Sequence, residues 1–139
     1  MAYVTSVDLD IPQDLLIQLT DDELTGSVNA DRVTAAITNA QAEVDSFIAK
    51  RYLVPVADPL PVTLKNWTIM LTKYHLYARR PPVSEDITAL RKDVLARLLE
   101  VSKGITSLGI APIPQGSSEV GGVISGPERI FGRHKLGGF

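Results

Sequence analysis

The chain contains no cysteine. Thiol nucleophiles, disulfides, iron-sulfur ligation and the common structural zinc sites are therefore excluded together, and stability must come from packing or from neighbours. A basic run is also missing: 14 Lys and Arg are interspersed with 16 Asp and Glu, for a formal charge of -2. No electrostatic footprint for gripping nucleic acid is visible, so DNA is not expected as a tightly held ligand. No apolar run approaches the roughly 18 to 20 residues needed to cross a bilayer. Met1 to Asp10 has no basic start followed by an apolar stretch, and a soluble protein made in the cytosol, with no membrane partner, is expected. Histidine is scarce as well, with His75 and His134 far apart in sequence. No nucleophile elbow, phosphate-binding glycine loop or metal-spaced histidine pair accompanies them, so no catalytic residue, cofactor or metal is expected, and the chain does not read as an enzyme.

What is present is helical patterning. With 139 residues and 45% hydrophobic content, the chain is long enough for one ordinary globular domain. Thr5 and Asp8 have the spacing of a helix start, Pro12 interrupts or restarts the first helix, and Leu15, Leu16 and Leu19 supply its apolar face. Thr20 to Asn29 is polar, contains Gly26 and reads as a loop. From Asp31 to Lys50, Val33, Ala36, Ile37, Ala40, Val44, Phe47 and Ile48 recur at three and four, which predicts a long helix capped by Asn29 or Asp31. Pro55, Pro59 and Pro61 impose an extended connection, with Pro61 expected at a first helical position. The third helix, Val62 to Arg79, carries Leu64, Trp67, Met70, Leu71, Tyr74 and Tyr77 in a wide apolar band. A polar stripe of Lys65, Thr68, Thr72, His75 and Arg79 is expected opposite, and the helix is placed centrally in a bundle. After Pro81 and Pro82, Ser84 caps a fourth helix that buries Ile87, Leu90, Val94, Leu98 and Val101 and stops at Gly104.

The expected fold is mainly α: a bundle of about four helices over residues 1–107, then an extended Gly/Pro-rich C-terminal arm, 108–139, with room for a short strand or hairpin. The arm has too few apolar residues for a core of its own. Its Val123, Ile124, Ile130 and Phe131 favour ordering on a partner surface, and Phe139 and Arg133 extend the candidate contact set. His134, between Arg133 and Lys135, belongs to a basic end that could meet an acidic partner or DNA. Arg79 and Arg80, where a helix breaks, are candidates for a neighbouring subunit's acidic surface, although a helix C-terminus favours cations anyway.

Three further groups resemble functional sites and have blander explanations. Asp21 to Asn29 alternates oxygen side chains around Gly26 like a calcium loop, but its twelfth position is Arg32, which cannot ligate a cation. A turn plus a helix cap explains it better. Glu43 with Asp45, or Asp86 with Asp93, could be paired carboxylates, yet outer helical faces are normally charged. Trp67, Tyr74 and Tyr77 could stack a ligand, but aromatics at helical spacing are usually core.

Several stretches in order resemble the Mu-like phage family of small head-tail connector proteins. They are Leu16 to Asp22 (LIQLTDD), Val44 to Pro55 (VDSFIAKRYLVP), Tyr74 to Arg80 (YHLYARR), Lys103 to Gly109 (KGITSLG) and Ser125 to Phe131 (SGPERIF). Pro12 and the acidic loop after Thr20 depart from the family pattern without touching the helical stripes. The resemblance implies a helical adaptor without enzyme activity, made in the host bacterial cytoplasm and located in the neck of the virion. It would bind the portal protein, meet tail-completion or tail-tube proteins, and self-associate into a ring through which DNA passes without specific binding. A tail-terminator or tail-completion subunit is a neighbouring alternative. A helical DNA-binding regulator is a more distant one, since it calls for a basic recognition helix and the second helix mixes Asp31, Arg32, Glu43, Asp45 and Lys50.

Overall fold

The computed structural model describes residues 1–114. A 3-10 turn, Ser6–Leu9, leads into α1, Gln13–Thr20; α2, Ala30–Ile48; α3, Val62–Tyr77; and α4, Glu85–Lys103 follow, with no strand among the described residues. The turn is built as its spacing predicts: Asp8 Oδ2 accepts the Thr5 backbone N–H at 2.9 Å and the Thr5 hydroxyl at 2.8 Å. Pro12 stands just before α1, whose first N–H groups need no partner there. Asn29 caps α2 by accepting the Arg32 N–H at 3.2 Å, and Ser84 caps α4 by accepting the Ile87 N–H. Pro61 occupies the flanking position with ψ 131 rather than the first helical one, and Val62 begins α3.

α3 is the central helix, packed against α2 and α4, with the 3-10 turn and α1 closing on its remaining sides. Its innermost face corrects the expected stripes. Leu64, Leu71 and Leu76 are fully buried, and so are Thr68 and Thr72, which sequence pattern puts on the polar side. Positions 64, 68, 71, 72 and 76 follow one another at three, four and one on the helix, so they share a face. Each buried threonine satisfies its hydroxyl locally: Thr68 donates to the Leu64 carbonyl at 2.9 Å and Thr72 to the Thr68 carbonyl at 2.8 Å. A threonine bonded in this way presents only its methyl to the neighbours, so it can replace an aliphatic residue in the core. The displaced aromatics, Trp67, Tyr74 and Tyr77, lie half-buried on the flanks, and Met70 is exposed.

The other helices keep most of their expected cores. α2 buries Val33, Ala36, Ile37, Ala40, Val44 and Ile48, with Phe47 half-buried at the margin. α4 buries Val94, Leu98 and Val101, whereas Leu90, expected inside, is exposed and Ile87 is half-buried. At ~1.5–3 kcal/mol for each fully buried aliphatic side chain, this shared core is the main stabilising term.

Gly104 ends α4 at φ 80, and the Ile105 N–H closes the helix on the Glu100 carbonyl at 2.9 Å. The chain then returns to the α2–α3 connection. Leu108 is buried with its N–H on the Tyr52 hydroxyl, and the Ile113 N–H donates to the Arg51 carbonyl at 2.7 Å. The start of the segment read as an arm therefore packs on the helical body. The strand or hairpin anticipated further along lies outside the described residues.

Candidate interaction surfaces

Three arginines converge on Asp22. Arg79 and Arg80 donate to its two oxygens, and Arg32 Nε lies 3.3 Å from Oδ2. The Arg79 guanidinium first, then the charges of Arg32 and Arg80, hold the Asp22 carboxyl below the usual carboxylate range. Both arginines, just past the end of α3, also cap α1: Arg79 Nε donates to the Leu19 carbonyl at 3.1 Å, and Arg80 donates to the carbonyls of Gln18 and Asp21. Those carbonyls are the unpaired, partly negative end of a helix, so two cations satisfy them doubly. The acidic surface that Arg79 and Arg80 meet is thus the chain's own.

The adjoining loop is a turn. Asp21 Oδ1 accepts the Thr25 N–H at 3.0 Å and Oδ2 accepts the Gly26 N–H at 2.7 Å, and these amides hold the carboxyl below its usual range. Both oxygens are engaged by amides, which bears out the reading of a turn joined to a helix cap. Leu24 stands at the tip of this loop in a left-handed conformation, φ 57, and is almost fully exposed.

A second polar cluster ties α2, α3 and α4 together. Glu43 receives Arg91 at 2.6 Å on Oε1 and His75 Nε2 at 3.1 Å on Oε2. The Arg91 guanidinium also lies 4.7 Å from the centre of the Tyr74 ring. His75 is therefore committed within the bundle, and Glu43 has no partnership with Asp45, which instead accepts the Tyr3 hydroxyl at 2.6 Å. These contacts place one carboxylate between a guanidinium and an imidazole from two other helices, an arrangement that holds α2, α3 and α4 together.

A groove of about 820 Å³ lies between the N-terminal segment and α2. Its apolar lining includes Met1, Val4, Val7, Leu16, Val28 and Ile37. One wall is pinned: Gln41 accepts the Tyr3 N–H at 3.1 Å and donates to the Met1 carbonyl at 3.0 Å. Sequence reasoning missed this feature because it read Met1 to Asp10 only for a leader-like pattern and for the helix start at Thr5 and Asp8. One signal was available. From Val33 to Ala42 the helix carries ten residues without a charge, although Thr34, Ala35, Thr38, Asn39 and Ala42 are exposed. Exposed helical faces ordinarily carry charges.

Of the candidate contact residues, Arg79 and Arg80 are brought together at Asp22. Val123, Ile124, Ile130, Phe131, Arg133 and Phe139, together with His134, lie outside the described residues. Among the described residues no group of His, Asp and Glu has the arrangement of a metal site, and no helix is long and apolar enough to cross a membrane.

A family model described as Bacteriophage Mu, Gp36 matches residues 3–124. The chain belongs to this family. The match to Gp36 takes in the N-terminal wall of the groove, all four helices, the Asp22 cluster and the first part of the segment beyond Pro114. Gp36 membership makes this a phage protein and suggests a structural or morphogenetic, virion-associated role over an enzymatic one. A search of the curated proteins finds no match.

Proposed function

We propose that the chain is a head-tail connector subunit. It binds the portal protein at the capsid vertex, associates with further copies into a ring in the neck of the virion, and offers that ring to tail-completion or tail-tube proteins. The observation that carries the reading is the Gp36 match, which spans the helical body and continues beyond it, as a subunit with a body and an added segment requires. Charge supports the passage of DNA without adhesion, since an excess of acidic over basic residues gives duplex phosphates no net attraction. A ring also explains how modest surfaces suffice, because each subunit is held on two sides and many weak contacts act together.

The test mixes the full-length protein with purified portal-bearing capsids, portal-free capsids and isolated tails, followed by sedimentation and limited proteolysis. Co-sedimentation with portal-bearing capsids alone is expected, with sites beyond Pro114 protected only in that mixture. Binding to tails alone would transfer the protein to tail completion, and binding to none of them would end the connector reading.

A further inference from the structure

We propose that the groove between the N-terminal segment and α2 receives residues 115–139 of a second copy of the chain. The inference rests on the connector reading and gives the ring a specific contact. Groove volume alone, about 820 Å³, would suit a small molecule, whose pockets run from ~300 to ~1,000 Å³. Such a site needs convergent polar groups to fix its ligand. Here Gln41 and Asp45 are already spent on the N-terminal segment, Thr5 on Asp8 and Thr38 on the Thr34 carbonyl, which leaves Ser6, Gln13 and Thr34 as polar groups in a mainly apolar trough beside an uncharged helix flank. A trough of that kind fits a peptide with apolar anchors.

The sequence beyond Pro114 supplies such a peptide. Val123–Ile124 and Ile130–Phe131 are two apolar pairs seven residues apart. In extended chain that separation is about 23 Å at ~3.3 Å per residue. The groove's lining positions on α2 run from Ala30 to Asp45, or about 22 Å at ~1.5 Å per residue. The two lengths agree.

Position argues for a second copy over the chain's own segment. The described residues end beside the Ile113 N–H to Arg51 carbonyl bond, past the C-terminus of α2 and beside the end of α4. On α2, Gln41 of the groove and Glu43, which reaches Arg91 of α4, are two residues apart and so about 200° around the helix. The groove thus opens on the flank of α2 turned away from α4. With the end of the described residues and the groove on different sides of the subunit, each copy gives to one neighbour and receives from another, which is the head-to-tail contact that closes rings. The 25 residues after Pro114 could extend ~80 Å, ample for that reach.

The chain's lack of cysteine makes the test clean. Thr38→Cys, on the exposed flank of the groove, carries a photo-crosslinker and is mixed with 15N-labelled wild-type protein, free and on portal-bearing capsids. Crosslinks to 15N peptides from residues 115–139 are expected, and they should be lost when the labelled partner carries Ile130→Asp with Phe131→Asp while its thermal unfolding midpoint is unchanged. Crosslinks confined to unlabelled segments when the 15N protein is in large excess, crosslinks to a capsid protein, or no excess over a Thr88→Cys control on α4 would overturn the proposal. Capsid binding without these crosslinks removes the groove contact and leaves the connector reading standing; crosslinks in free protein that ignores capsids do the reverse.

Discussion

At the scale of residues, the most telling positions lie where a single polar group joins distant segments. Tyr3 is buried, its hydroxyl donating to Asp45 and accepting the buried Val56 N–H at 2.7 Å. Burial, then the Asp45 bond, pushes the phenol well above its usual pKa. Tyr3→Phe keeps the ring but strands the Val56 amide, and a loss of about 1–3 kcal/mol is expected in urea unfolding. A change inside experimental error would show that water or another group replaces the hydroxyl. Asp22→Ala is expected to cost less than Tyr3→Phe, because the arginines are partly exposed and retain the carbonyls of α1. Added salt should shrink that difference, and a salt-independent loss would contradict a screened surface cluster. Neither contact was legible in the sequence: Tyr3 had no periodic neighbours, and nothing in Arg79–Arg80 indicates which acidic group they meet.

At the scale of elements, α3 separates what pattern can and cannot assign. Its apolar residues cover most of the circumference, so composition identifies a central helix without identifying its innermost line. The structure chooses the line through Leu64, Thr68, Leu71, Thr72 and Leu76. Two substitutions distinguish the alternatives. Thr72→Lys is harmless if Thr72 belongs to a solvated stripe, but in a fully buried position it is expected to unfold the protein or lower its melting temperature steeply, because an unpaired charge is left in the core. Trp67→Ala, half-buried, should cost less than the ~3–5 kcal/mol typical of fully buried aromatics. Circular-dichroism melts of both variants decide the matter, and the reverse ranking would restore the sequence-based stripes. α2 and α4 were easier because each has a solvated side that makes its stripe unambiguous, and caps that need only local bonds.

At the scale of the whole molecule, stability should fall on acidification. The Lys65 ammonium, then the Thr5 amide, hold Asp8 at about 2, and Asp21 and Asp22 are lowered as well. A carboxyl whose pKa is depressed in the folded state binds fewer protons there than in the unfolded chain. Its contribution is therefore complete above the unfolded value of about 4 and disappears as pH falls from there toward 2. The unfolding midpoint is expected to drop across that window, with Asp22→Asn making the slope shallower; an unchanged slope would mean that these carboxyls do not couple to folding. The sequence by itself determined the helical class, most element boundaries, the capping residues and the family, since each rests on local bonds, periodic spacing or ordered short stretches. Only the tertiary structure decided which face of α3 is innermost, that Arg79 and Arg80 close on Asp22, and that the N-terminal segment builds a groove on α2. Those outcomes depend on segments far apart in sequence meeting in space, and no local spacing encodes which of several compatible partners a side chain will reach.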